Sequence, residues 1–568
     1  MKKLIAPMKN KIGSIFAIFL FLLIQVYCDL TLPQYTANIV NIGIQNTDFN
    51  YIIAIGEIML LMVAISALAT IGVSYFSSRV SSSYAKDLRK IVYTKVLKFS
   101  NHELNQISRS SLITRSTNDI NQLQAVLGMI FTTLIFAPML GVGSIIKAFE
   151  LGTDLSWIIA VTFIAVIIVL VVIMVRVIPY FKITQEIIDK INKASREILI
   201  GIPVIKAFVR QDYEEKKFQK INQEFYDVNI FVFKRVLISL PLMMLIMNVM
   251  VVAILYYGAY DALSGSILTG DIIAFIQYAT QIVTSFLMIG AFFIILPRIL
   301  VSGRRINEVL TTELTITDGD LTEISPNSSI EFKNVCYKYP GSEKETLKDI
   351  NFSLKPGKTT AIIGGTGSGK STILNLIPRL QDPTSGEILI DGENIKNFKL
   401  KSLRDKISFT PQKAILFQGT VKSNLKTGKS DATDEEINHA LSLAQVDFVE
   451  NIDEEVAQGG SNFSGGQKQR LSIARAIIGK HEFYLFDDCF SALDMNTERK
   501  IKENLKDLKD SSILIVSQRI STIMEADEIL VIDNGEIVDR GDHESLVENS
   551  EIYREIVNTQ IDSMEAAL

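Results

Sequence analysis

The sequence predicts two joined parts of unlike chemistry: an α-helical transmembrane domain of six spans with long cytoplasmic extensions over residues 1–310, and an α/β domain with a helical subdomain over residues 330–568. Three observations carry this. Six long uncharged stretches fill the first part. A glycine-rich loop, Gly364-Gly365-Thr366-Gly367-Ser368-Gly369-Lys370-Ser371, lies between a strand-like and a helix-like run in the second. The charge also changes sign, since residues 1–310 sum to +9 and the remainder to −14 within a net charge of −5 for 568 residues. A basic, apolar half followed by an acidic one is the pattern of a membrane domain joined to a cytosolic one.

Four lysines between Met1 and Lys11 precede an apolar run from Ile12 to Cys28. The run is longer than the core of a signal peptide and no small-residue cleavage site follows it, so it reads as a retained first span. Five more stretches follow near residues 58–78, 122–146, 157–175, 236–260 and 272–296, each long enough to cross a hydrocarbon core. Residues 30–50, 150–155 and 258–271 hold no Lys or Arg, whereas residues 79–119 hold eight and residues 176–235 hold twelve. Positive residues collect on the cytoplasmic side, which places both termini and both long connections there and the chain in a plasma membrane as a multi-pass protein.

The two basic connections carry helix-type apolar spacing, at 84–92 and 182–200, and read as spans continued into the cytoplasm. Inside the spans, Gln25, Asp29, Glu57, Asn248, Gln277 and Gln281 stand out, because polar groups at membrane depth face a cavity or one another. Asp29 and Glu57 fall near span ends. Gln277 and Gln281, four apart on one face of the last span, are the better candidates for a cavity. Met243, Met244, Met247 and Met250 lie at helical spacing, which fits simple core packing and also an adaptable cargo surface.

Residues 311–329 read as a linker. In the second domain, Thr359–Ile363 before the glycine-rich loop and Ser371–Leu376 after it supply the strand–loop–helix context of a Walker A phosphate loop, in which Lys370 reaches the phosphates and the Ser371 hydroxyl a magnesium ion. Ser464-Gly465-Gly466-Gln467 opens a predicted helix, where bare N–H groups and the positive helix end favour a phosphate. The apolar run Phe483–Phe486 ends in Asp487 and Asp488, a buried strand delivering carboxylates to its carboxyl end, where Mg2+ on a nucleotide needs one. This part of the chain is expected to bind ATP. The second half holds no basic patch that would suit a nucleic acid. The cysteines Cys28, Cys336 and Cys489 are too few and too scattered for a disulfide framework or a zinc site.

The Walker loop, the Phe463-Ser464-Gly465-Gly466-Gln467 signature and the acid pair about twenty residues on together resemble the ATP-binding cassette (ABC) transporters, and the likeness covers nearly the whole chain. In the first domain, Leu112–Asp119 and Gly201–Phe208 are similar to the intracellular extensions of type IV exporters. The turns near Asn101–Asn105 and Phe208–Tyr213 would be the coupling helices that rest on the ATPase domains. The resemblance implies an α/β P-loop ATPase in which Tyr339 stacks on adenine, with Tyr337 as the alternative. Gly364 through Thr372 would cradle the phosphates, and Ser371, Gln412 and Asp487 would hold Mg2+. Ser464, Gly465, Gly466 and Gln467 would contact the nucleotide of a facing cassette, and Asp494 would close the D-loop.

Two positions depart from that pattern. The general base, a Glu after the Walker B Asp, is Asp488, and the switch His is Gln518. Aspartate is one methylene shorter than the base it replaces, and glutamine cannot exchange a proton as imidazole does. Both changes spare Lys370, Ser371 and Asp487 and bear on hydrolysis. The chain therefore resembles the degenerate-site subunit of a heterodimeric exporter, whose partner is a second half-transporter with Glu and His intact. Amphipathic drugs, lipids or peptides are the implied cargo. An ATP-gated channel or sensor, and a slow homodimeric exporter, are the competing readings.

Overall fold

The computed structural model describes residues 4, 6–151, 155–508 and 510–565. Met1-Lys2-Lys3 and residues 152–154 of the third connection lie outside these. The chain separates into two compact units, one of Met1–Leu97 with Ser110–Thr311 and one of Lys98–Arg109 with Thr312–Leu568.

The first unit is helical. Helix α1 spans Ile12–Asn38 and α2 spans Phe49–Val96. A third run covers Arg109–Leu151 and is interrupted by π-type turns at Arg115–Asp119 and Ile130–Leu134. Three more helices cover Ser156–Ala207, Gln211–Leu263 and Thr269–Thr311. All six are long and apolar enough to cross a membrane. At 48 residues α2 is about 72 Å long, more than twice a hydrocarbon core of about 30 Å, so it runs on as the extension expected from residues 84–92. The turn into α2 is set by Asp48, whose carboxylate accepts the Tyr51 N–H at 3.0 Å as an N-cap.

Gln281 has a structural duty. Pro33, inside α1, has no N–H for the carbonyl four residues back, that of Asp29. Gln281 Nε2 supplies the missing donor to Asp29 O at 3.1 Å, and the Tyr278 hydroxyl donates to Leu30 O at 2.7 Å. The Gln281 Oε1 accepts from Ser144 Oγ at 2.8 Å. Gln281 is half-buried, and both its amide oxygen and its amide nitrogen are engaged beside the proline break. The Asp29 carboxylate accepts from Ser66 on α2 at 2.8 Å. Met243 and Met250 are buried in the core of the unit, while Met244 is exposed. Arg115 and Asp119, at the ends of the first π-type turn, clasp the last helix. Arg115 donates to Arg305 O at 3.0 Å and pairs with Glu308 at 2.9 Å, and Ser302 donates to Asp119 at 2.8 Å.

The second unit holds two main sheets and a two-stranded ribbon of β7 (Gly419–Thr420) and β8 (Glu455–Val456). An antiparallel sheet has the order β2-β1-β4-β5, with β1 at Ile330–Tyr337, β2 at Leu347–Leu354, β4 at Ser385–Ile390 and β5 at Glu393–Asn394. The other sheet has the order β12-β11-β3-β10-β9-β6. Its strands are β3 (Thr359–Gly364), β6 (Ile407–Thr410), β9 (Phe483–Asp487), β10 (Ser512–Val516), β11 (Glu528–Asp533) and β12 (Glu536–Gly541). All its neighbours pair in parallel except β12 with β11. Every residue of β9 and β10 is buried, which is why both read as unbroken apolar runs rather than alternating ones. A helical region around Asp434–Leu443 packs its apolar face on the same core and leads to the helix Gly465–Ile477.

Candidate functional site

The site forms where β3 and β9 end. Beyond β3 the chain turns through the glycine-rich loop into the helix Lys370–Leu376. Gly369 caps this helix at φ +102°, a left-handed conformation, and a Cβ there would lie 2.6 Å from Leu347 Cδ2. Only glycine satisfies both constraints. The Lys370 ammonium curls back into the loop and donates to the carbonyls of Gly364 at 2.8 Å and Gly365 at 2.7 Å. Burial pulls its pKa down, against the opposing pull of Asp488 and Asp487.

Ser371 Oγ donates to Asp487 Oδ1 at 2.9 Å, so the last residue of β9 and the first turn of the loop helix share one locus. Burial pushes the Asp487 carboxyl up, the Ser371 hydrogen bond opposes this, and the neighbouring Asp488 adds to it. Gln412, two residues past β6, donates to Asp488 Oδ2 at 3.3 Å, while Asp488 Oδ1 is buried without a partner among the described residues. A hydroxyl, two carboxylates and an amide therefore converge from β3, β6 and β9. Hard oxygen donors of this kind, one of them unsatisfied, fit a magnesium ion.

Tyr339 is joined to the loop helix by its hydroxyl, 3.1 Å from Thr372 Oγ1. Tyr337, the alternative, is buried and donates to Gln381 at 3.2 Å, so its ring is committed to the core. Tyr339 is the one beside the loop. Ser464 N-caps the helix Gly465–Ile477 in a reciprocal capping box with Gln467, the Ser464 N–H reaching Gln467 Oε1 at 2.8 Å. A Cβ on Gly466 would approach Ala492 O at 3.0 Å, which ties the signature helix closely to the segment before Asp494. Asp494 itself caps the helix Met495–Leu505 through Thr497 N–H. Gln518 follows β10 with an exposed side chain, and its carbonyl accepts from Gln560 at 2.7 Å.

Some contacts were not anticipated. Gln469 Nε2 reaches Gln412 O at 3.3 Å, linking the signature helix to the residue between β6 and the acid pair. Arg519 donates to Ser491 O at 2.7 Å and so joins the segment after β10 to the one after β9. Nothing in the spacing of either residue announces these contacts. Ser100 and Glu103 also form a capping box, at the start of the helix Asn101–Gln106 in the second unit. The Ser-x-x-Glu spacing was a visible signal for that one.

A phosphate loop, an acid pair on a buried parallel strand and a signature helix, downstream of six membrane-capable helices, define a membrane transporter driven by a nucleotide. Residues 15–286 match the ABC transporter transmembrane region and residues 347–491 the ABC transporter domain. The chain is 36 % identical over 546 residues to the uncharacterized ABC transporter ATP-binding protein YfiB of Bacillus subtilis, covering 95 % of each. It is 36 % identical over 548 residues to an uncharacterized ABC transporter ATP-binding protein of Mycobacterium tuberculosis, covering 95 % of this chain and 94 % of that one. A Staphylococcus aureus protein whose name refers to multidrug export is 37 % identical over 369 residues, covering 63 % of this chain and 64 % of its own. The fold is shared with a bacterial Atm1-family ABC exporter solved with ATP bound, at a TM-score of 0.81 and 22 % identity over 97 % of this chain and 98 % of that one.

The chain belongs to the ABC transporter family. It is a multi-pass membrane protein that joins one transmembrane region to one ATP-binding ATPase domain, the composition of a half-transporter with an exporter fold.

Proposed function

We propose that this chain is the degenerate-site subunit of a heterodimeric exporter that moves amphipathic molecules out of the cytoplasm. One observation carries the reading: the groups that bind nucleotide converge, while the two positions that act on it hold Asp488 and Gln518. The Lys370 ammonium on the loop carbonyls and the Ser371 hydroxyl on Asp487 support a phosphate and metal site. Ser371, Asp487 and Gln412 would hold Mg2+, which would screen the phosphate charge. The multidrug name of the S. aureus relative supports an amphipathic drug-like cargo. The lysine- and arginine-rich connections support cytoplasmic termini in a plasma membrane.

In this arrangement ATP binds at Lys370 and is turned over slowly there. The Asp488 carboxylate is too short to reach the attacking water as the usual glutamate would. Ser464 and the N–H groups after it serve the partner's nucleotide. Donors aimed at a transferring phosphoryl group are worth a few kcal/mol in the transition state, so their loss should lower turnover at the partner's site by roughly a hundredfold. The test is to purify the tagged chain from its native membrane and ask whether a different half-transporter comes with it. A stable self-dimer that hydrolyses ATP at a rate typical of the family would refute the proposal.

A further inference from the structure

The segment Lys98–Arg109 and the stretch from Thr312 belong to one compact unit, and a single carboxylate fastens them together. Glu103 is 1 % exposed. Its Oε2 accepts from the Ser100 N–H at 2.5 Å and from the Ser100 hydroxyl at 2.6 Å, and its Oε1 accepts from the Thr315 N–H at 2.8 Å. The hydroxyls of Ser100 and Thr315 are 3.0 Å apart. Burial would push the Glu103 carboxyl up, but hydrogen bonds from Ser100 and Thr315 outweigh it and hold it below the usual carboxylate value. A helix cap alone does not call for a buried charge, since solvent-exposed Ser, Thr or Asp caps serve as well.

The next residue extends the contact toward the nucleotide. The Asn101 N–H donates to Leu380 O at 3.3 Å. Leu380 lies between Arg379, which is buried and grips Asp382 at 2.9 and 3.0 Å, and Gln381, which accepts from the Tyr337 hydroxyl. The Tyr337 ring packs edge-on against Tyr339 at 4.9 Å, and the Tyr339 hydroxyl meets Thr372 on the loop helix. Neighbouring contacts thus run without a gap from the phosphate-loop helix to Asn101. In the chain itself, Lys98 follows the end of α2, Arg109 opens the third run, and Thr312 follows the last helix.

We propose that Glu103 is a coupling residue, a positioning group that touches neither ATP nor cargo. It makes the segment 98–109 and the stretch after Thr311 move as one piece with the turn at Leu380. Three of the six spans, the second, third and sixth, then receive the movement of the nucleotide site together through their covalent ends. This rests on the reading of the chain as an ATP-driven exporter.

The experiment compares ethidium transport with ATP hydrolysis by the assembled transporter in proteoliposomes. Glu103→Gln keeps one acceptor but turns an amide N–H2 toward the donors of Ser100. It should leave kcat and KM for ATP within about twofold while ethidium moved per ATP falls by about tenfold. The milder pair Ser100→Ala with Thr315→Val, which removes only hydroxyl groups, should shift the same ratio in the same direction. Ser100→Cys with Thr315→Cys in the Glu103→Gln background should restore the ratio when oxidised and lose it when reduced. Transport and hydrolysis falling in parallel, an unchanged ratio, or a disulfide that restores nothing would each overturn the proposal. Hydrogen exchange separates this from the exporter reading. ATP should alter protection of residues 98–109 and 312–318 together in the wild type and separately in Glu103→Gln. If the wild type moves no cargo, the exporter reading falls, and the exchange result still decides the latch.

Discussion

Asp488 occupies a left-handed backbone position, φ +46°, directly after the buried strand β9. Short side chains that can bond locally tolerate this region better than longer ones, at a cost otherwise of about 1–2 kcal/mol. Asp488→Glu is therefore expected to lengthen the acid without restoring turnover, because the new side chain starts from a strained backbone and Gln518 is unchanged. Single-turnover hydrolysis at this site should stay within a few-fold of the wild type; a return to rapid cleavage would show that side-chain length alone was limiting. At Gly369 the expectation is sharper. Gly369→Ala meets both the positive φ and Leu347, and should abolish retention of a fluorescent ATP analogue while the protein still assembles. The identities of Lys370, Ser371, Asp487 and Ser464 were legible because their chemistry depends on motif spacing. The backbone strain at Asp488 was not, since φ is set by the β9–β10 packing that fixes its N–H on Val516 O at 2.8 Å.

Among the elements, α1 and the last helix show why periodicity finds spans but not their polar contacts. Six apolar stretches of bilayer length were readable one at a time. Which carbonyl lacks a donor, and which side chain supplies it, depends on the helix that packs alongside, and no single stretch contains that information. The hydrogen bonds of Gln281 were hidden for this reason. Its repair of the Pro33 break predicts a specific double-mutant result. Gln281→Leu should destabilise the detergent-solubilised protein by about 1 kcal/mol, in the range of hydrogen bonds between membrane helices. In a Pro33→Ala background, where the backbone donor returns, most of that cost should vanish. Thermal unfolding of the four proteins checks it, and equal costs in both backgrounds would separate Gln281 from the proline.

At the scale of the whole molecule, neither the partner nor the division of labour is legible in one chain, because the proposed nucleotide site is shared with a second chain. The proposed division predicts an asymmetry in the purified pair. Ser464→Arg should abolish steady-state hydrolysis, whereas Lys370→Ala, acting on the slower site, should reduce it far less. Equal losses would argue for two equivalent sites. The segment Lys98–Arg109 taught a related lesson. A turn near Asn101–Asn105 was expected from the family resemblance, but the membership of this segment in the second unit goes with contacts such as those of Glu103 and Ser100 with Thr315, which a linear division at residue 310 could not express.

The length of α2 has a mechanical consequence. Its 48 residues contain no proline, and a continuous hydrogen-bonded helix about 72 Å long behaves as a stiff rod. A sideways displacement of about 3 Å at one end of such a rod tilts it by only about 2°. Every level along the rod then shifts in proportion to its distance from the pivot, with no proline break to absorb the motion. A small stroke is therefore conserved as tilt over the full thickness of the bilayer, and the rod acts as a lever whose gain is set by where the membrane holds it.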